Sequence, residues 1–247
     1  MSDIKICGLK RPEDVRAVNE FHPDFVGFVF ANTKRFVSDE TAAELKKALD
    51  PSIQAVGVFV KEPIEHVVKL AADKTIDVIQ LHGDEEIDYV NQLREELNKK
   101  LGSQKKSSAT RVPIIKVVRM DAVIDGSGQE REQIIQKNVR LIEEARQCEP
   151  DYLLFDTKVK GIPGGSGQTF DLSGLPPDDQ IGLPYFLAGG IDLTNVQDLI
   201  KLRRPFGIDV SSAVETDGLK DAGKIRAMIA KVRAMIAKVR EMDTDTV

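Results

Sequence analysis

The sequence predicts an α/β fold: a single (β/α)8 TIM barrel with parallel strands. Three observations lead there. Eight short apolar runs alternate with helical patterns along the chain. Several of the runs end in a polar residue or glycine, as in Leu81-His82-Gly83, Phe155-Asp156-Thr157, Ala188-Gly189-Gly190 and Asp209-Val210-Ser211-Ser212. The length, 247 residues, matches the ~250 that such a barrel takes as one domain.

The runs fall at about 4–7, 25–30, 54–60, 77–81, 113–119, 152–156, 185–188 and 207–211. They are rich in Val, Ile and Phe, as strands covered on both faces are. Pro12-Glu13-Asp14 opens the first helix, since Pro fits the first turn and acidic residues suit its positive end. Ser38 caps the second, ahead of Asp39-Glu40. Pro63, Glu85 and Thr194 open others. Composition does not change along residues 1–247, so one barrel is favoured over two doubly wound domains. An open Rossmann sheet would need G-x-G-x-x-G directly after a strand and an acidic residue ~20 positions on. That fingerprint is absent.

Three segments break the spacing. Residues 99–111 (KKLGSQKKSSATR) are polar and aperiodic and predict a mobile surface loop. Residues 121–130 (DAVIDGSGQE) predict a second loop, leading into a long helix that ends near Cys148. Near the C-terminus the heptad Arg226–Val232 is repeated directly as Arg233–Val239. Seven residues turn a helical face by only about 20° and add roughly 10 Å. The stripe Met228, Ile229, Val232, Met235, Ile236, Val239 therefore stays continuous, and the extra heptad is expected to overhang as a tail, with a subunit-docking stripe as the alternative.

The net charge is −5, so nothing global favours nucleic acid or an acidic membrane. Two cysteines, Cys7 and Cys148, are too few for a disulfide framework and have no zinc spacing. Strand-like sequence begins at Ile4, leaving no room for a signal peptide. No apolar run approaches the ~20 residues of a membrane span. Together these features predict a soluble, cytoplasmic protein.

Chemistry is expected at the carboxyl ends of the strands. Cys7 and Asp156 close the first and sixth and suit a proton transfer with a separate base and acid. Cys7 has an alternative as a small core residue, and a base role needs its thiolate form. Asp156 would otherwise be a buried carboxylate without purpose. Cys148, at a helix end, reads as structural. His82 reads as a wall residue that could touch substrate. Arg35 could clamp a carboxylate bidentately or be a solvated surface arginine. Asp209 could accept from a sugar hydroxyl or hold a network at the barrel mouth. The segment Lys160–Gln168, with Gly164, Gly165 and Gly167, can present bare N–H groups to an anion. Gly189, Gly190, Ser211 and Ser212 follow the seventh and eighth strands, where barrels commonly bind phosphate. No metal cluster or dinucleotide motif is present, so neither a metal nor a cofactor is expected.

With these residues in place the chain strongly resembles the phosphoribosylanthranilate isomerase family. The matching pieces are KICG (5–8), DFVGFVF (24–30), KRFVS (34–38), AVGVFV (55–60), IQLHG (79–83), LLFDT (153–157), GGSGQTFD (164–171), LAGGI (187–191) and PFGIDVSSAVE (205–215). Departures are Ile191 for the family's frequent Leu, Ala213 for its usual Gly, the two long loops and the repeated final helix. The resemblance implies an Amadori rearrangement of N-(5-phosphoribosyl)anthranilate to the corresponding deoxyribulose 5-phosphate in tryptophan biosynthesis. In that scheme Asp156 is the general acid and Cys7 the general base. Arg35 faces the anthranilate carboxylate, and the glycine loop with the seventh and eighth strand ends holds the phosphate. The partner is the small phosphosugar-anthranilate substrate, and the chain is a monomer or homodimer. A histidine-pathway aminoaldose isomerase, which places aspartate where Cys7 stands, and a non-catalytic phosphosugar-binding barrel are the alternatives. Indole-glycerol-phosphate synthase is disfavoured because its lysine and glutamate on early strands are missing.

Overall fold

Eight strands pair in parallel and in sequence order, and the last returns to the first to close the barrel. They are β1 (Asp3–Cys7), β2 (Phe25–Val29), β3 (Gln54–Phe59), β4 (Val78–Leu81), β5 (Ile114–Met120), β6 (Tyr152–Thr157), β7 (Tyr185–Ala188) and β8 (Gly207–Val210). The structure is a computed structural model and describes residues 2–102, 111–121, 128–157 and 174–244.

The two-residue period of a strand splits the apolar residues between two cores. One set faces outward under the helices and includes Ile4, Ile6, Val26, Phe28, Leu153 and Phe155. The other fills the barrel: Phe25, Val56, Val78, Ile115, Val117, Leu154, Phe186 and Ala188, flanked by Tyr152 and Phe206. Both faces of each strand are thus covered, which is why the runs are nearly continuous in sequence.

The helices are α1 (Pro12–Phe21), α2 (Asp39–Ala48), α3 (Ile64–Ala72), α4 (Ile87–Gly102), α5 (Gly128–Gln147), α6 (Asp178–Ile181), α7 (Val196–Arg203) and α8 (Ala222–Thr244). Ser38 caps α2, its Oγ accepting from the Thr41 amide at 3.2 Å. Asp14 ties the entry to α1 by accepting from the Lys10 and Arg11 amides at 2.9 and 3.1 Å. Glu85 does not open a helix. Its carboxylate is drawn inward by Lys116 Nζ at 3.1 Å and the Lys61 amide at 2.8 Å, and α4 starts two residues later. Thr194 likewise precedes α7 by two residues, its amide and hydroxyl both donating to Asp192.

Two expectations about irregular segments change. The loop predicted from residue 99 starts later, because α4 runs through Gly102 with Lys99 paired to Glu95 and Glu96 on the preceding turn. Leu101 packs against the core four residues after buried Leu97, continuing the apolar face of Val90 and Leu93 into the segment expected to be a loop. Residues 103–110, and 122–127 of the second loop, lie outside the described residues. The repeated heptad does not overhang free. Met235 of the second copy is buried with Met228, Ile229 and Val232 of the first, and Ile236 and Val239 pack against the same core. Arg233 donates to the His22 carbonyl at the end of α1. Cys148 is buried beside the end of α5, the structural role expected of it.

Candidate active site

Cys7 sits at the carboxyl end of β1, two residues after Lys5, so both side chains face the barrel interior. Registered against Cys7 on β2 is Gly27. A β-carbon at that position would stand 2.7 Å from the Cys7 sulfur, so the glycine makes room for the thiol. Cys7 as a residue is partly exposed at the rim. Burial pushes its pKa up, against the nearby ammonium groups of Lys5 and Lys220. Its ionisation therefore depends on those cations, and its surroundings do not by themselves favour the thiolate.

Lys5 has 0% of its surface exposed. Its Nζ lies 3.0 Å from Asp209 Oδ2. Burial disfavours charge on Lys5, but Asp209 outweighs it and holds the ammonium above its ordinary pKa. Asp209 thus holds the mouth network together through one oxygen. Its buried Oδ1 has no hydrogen-bond partner among the described residues, leaving an acceptor for a ligand hydroxyl.

Asp156 is buried at the end of β6. His82, just past β4, brings Nε2 to 3.4 Å from Asp156 Oδ2. Buried Gln80 lies two residues earlier on the same strand face, with Nε2 2.8 Å from His82 Nδ1. With Gln80 donating, Nδ1 is the acceptor and the ring proton sits on Nε2, toward Asp156. His82 is therefore a neighbour of the carboxyl group as well as a wall residue.

Arg35 is not a free surface arginine. It grips a carboxylate bidentately, but one of the protein's own, that of Glu215: Nε to Oε1 at 2.8 Å and Nη2 to Oε2 at 3.0 Å. Gly8, at φ +87°, lets the arginine cross, since a β-carbon there would lie 2.5 Å from Arg35 Cδ. Glu215 also accepts from Lys220 Nζ at 2.8 Å. Burial would raise the Glu215 pKa, yet these hydrogen bonds bring it down to about 2. Glu215 and Lys220 belong to a small hairpin after β8, β9 (Glu215–Thr216) and β10 (Leu219–Lys220).

At the seventh strand end, Gly189 and Gly190 have φ values of +86° and +59°. The turn is pinned by Asn195, which donates to the Gly190 carbonyl at 2.9 Å and accepts from the Asp192 amide at 3.0 Å. Ser212 is exposed at the start of the short 3-10 turn Ser212–Val214. Ser211 departs from the expected hydroxyl donor to an anion. Its Oγ donates to the Cys7 carbonyl at 2.9 Å and so stitches β8 to β1. Gly164, Gly165 and Gly167 lie outside the described residues. Among the described residues no cluster of three or more His, Cys, Asp or Glu could hold a metal ion. No helix among them is long and apolar enough to cross a membrane.

The sequence reading passed over Lys5, Gln80, Glu215 and Lys220. The first two had a signal: each is polar inside an apolar strand, two residues before a rim residue already singled out. The other two reach the site only through the closed fold.

The sequence matches the family described as N-(5'phosphoribosyl)anthranilate (PRA) isomerase over residues 4–138 and 129–231. The chain belongs to this family. A PRA isomerase from Acetivibrio thermocellus is 42% identical over 230 residues, covering 93% of this chain and 94% of the relative. The crystal structure of the Thermotoga maritima PRA isomerase superposes with a TM-score of 0.73 at 32% identity, over 95% of this chain and all of that one. A PRA isomerase solved in complex with reduced 1-(o-carboxyphenylamino)-1-deoxyribulose 5-phosphate superposes at 0.67 with 28% identity, again over 95% of this chain and 100% of that one.

Proposed function

We propose that this chain catalyses the PRA isomerase reaction with Cys7 as general base and Asp156 as general acid. The supporting observation is the placement of partly exposed Cys7 and buried Asp156 at two strand ends of one rim, with His82 Nε2 3.4 Å from the Asp156 carboxylate.

The reaction conserves every atom. Asp156 in its acid form gives a proton to the furanose ring oxygen, and the ring opens to a Schiff base. The Cys7 thiolate then takes the proton from C2′, leaving an enolamine that tautomerises to the ketone. Asp209 Oδ1 accepts from a sugar hydroxyl. Arg35, held by Glu215 through Nε and Nη2, keeps its Nη1 group for the anthranilate carboxylate. Gly189 and Gly190 let the backbone approach the phosphate closely, joined by Ser212 and by Gly164, Gly165 and Gly167 of the glycine-rich segment. The substrate is anionic while the protein carries a net −5, so local donors must supply the attraction.

Adding freshly made aminoaldose to the purified protein and following anthranilate fluorescence tests the reading. Turnover far above the spontaneous rate is expected; a rate equal to that background contradicts it. Running the histidine-pathway aminoaldose in parallel defines the amine specificity.

A further inference from the structure

We propose that Gln80 is a positioning residue for this reaction: from inside the barrel it fixes the His82 ring with its proton on Nε2, so that the ring faces Asp156 Oδ2 as a donor and leaves Oδ1 to carry the acid's proton. The inference rests on the reading of Asp156 as acid and names the group that orients it.

Gln80 stands at 0% exposure, and a buried side-chain amide is costly unless it is hydrogen-bonded. Its neighbours in register are Val58 on β3 and Ile115 on β5, so burial alone would favour an apolar residue here. Gln80 lies two residues before His82, on the same face of the strand, and its Nε2 stands 2.8 Å from His82 Nδ1. The His82 backbone is pinned separately. Its amide donates to the Phe59 carbonyl at 2.8 Å, and its carbonyl accepts from Arg119 Nη2 at 2.7 Å. Arg119 is itself in register with Asp156 on β6. What the backbone leaves open is the rotation and tautomer of the ring, and the contact with Gln80 sets both.

An amide N–H only donates, so Nδ1 accepts and the neutral ring carries its proton on Nε2. That nitrogen lies 3.4 Å from Asp156 Oδ2, and catalytic contacts are commonly long before substrate binds. With Oδ2 facing a donor, the proton of the acid form sits on Oδ1. When Asp156 protonates the furanose oxygen, its own O–H bond breaks and a new O–H bond forms on the sugar. The carboxylate left behind faces the Nε2–H, a donor already in place for the developing charge. His82 keeps its own proton throughout. The reversed tautomer would turn an Nε2 lone pair toward Asp156 and draw the acid proton away from the sugar.

The readout is the His82 tautomer, taken from the nitrogen NMR shifts of the ring in full-length protein labelled at histidine, in the pH range where the ring is neutral. The chain has three histidines, and a His82→Asn spectrum assigns the signal. The parent is expected to show a protonated Nε2 and a bare Nδ1. Gln80→Glu presents carboxylate oxygens that accept from Nδ1, so the tautomer reverses and kcat falls by about tenfold or more while KM stays within about threefold. Gln80→Met, similar in length but without a donor, releases the ring: both tautomers are populated, and kcat falls by less than in Gln80→Glu. A parent ring protonated on Nδ1 overturns the proposal without any Gln80 variant having to fold. A kcat loss in Gln80→Glu with the tautomer unchanged overturns it as well, since that is the mark of disturbed packing alone, and so does a reversed tautomer at full turnover. Asp156→Asn keeps the two readings apart: undiminished turnover there would remove the acid itself, and this role for Gln80 with it.

Discussion

The two ends of the barrel interior are built on opposite principles. At the amino end, Phe25, Tyr152, Phe186 and Phe206 form a ring-on-ring plug, with Phe186 centroids 5.6, 5.8 and 5.3 Å from the other three. At the carboxyl end β1, β4, β6 and β8 carry Lys5, Cys7, Gln80, Asp156 and Asp209, all but Cys7 buried by more than nine-tenths. The plug gains from burial alone. The mouth incurs a desolvation cost and recovers part of it through the Lys5–Asp209 pair. Two polar atoms there, Gln80 Oε1 and Asp209 Oδ1, are buried without a hydrogen-bond partner among the described residues. Stability is concentrated at one end and reactivity at the other, and substitutions at the two ends should separate the two properties.

The largest expected effect is on turnover at the mouth. Asp156→Asn should cut kcat by on the order of 10²- to 10⁴-fold, the usual worth of a positioned proton donor, with little change in thermal midpoint. A loss below about tenfold would place the acid elsewhere. Next comes Phe186→Ala in the plug, expected to cost about 3–5 kcal/mol of stability by chemical denaturation while the folded enzyme keeps its kcat. A matching collapse in kcat would show that the two ends are not separable. Gly27→Ala falls between these classes. The added carbon would meet the Cys7 sulfur at 2.7 Å, so turnover should drop well beyond any loss of stability. Equal losses would mean the strand, not the thiol, had moved.

The smallest effect is a pH dependence at the amino end. Burial and the neighbouring Asp24 carboxylate push Asp3 up to about 6. The fold therefore binds this proton more tightly than the unfolded chain does. The resulting stabilisation is present below the ordinary carboxylate range and is lost as pH rises through about 6. Asp3→Asn should raise the thermal midpoint relative to the parent at neutral pH, and the advantage should vanish near about pH 4. A difference independent of pH would rule out Asp3 as its source.

Much of the plug and little of the mouth's wiring was legible in the sequence. Continuous Val, Ile and Phe runs announce strands covered on both faces, and all eight appear where those runs are. Rim residues such as Cys7 and Asp156 stood out because polarity interrupts such a run at its end. Glu85 was misread because its charge looked like a helix start, whereas Lys116, 31 residues later in sequence, draws it under the loop. Arg35 and Glu215 are 180 residues apart, and only closure of β8 on β1 brings them together. The same closure commits Ser211 to the Cys7 carbonyl, a use that no local pattern reveals.

The central claim is that the Cys7 sulfur abstracts the C2′ proton. Its most direct test is Cys7→Ser, measured for kcat with the aminoaldose and for affinity toward the reduced product analogue. The account predicts a turnover loss of about 10²-fold or more, since a hydroxyl is a far weaker base near neutral pH, with the dissociation constant unchanged. A serine variant that turns over as fast as the parent would contradict it.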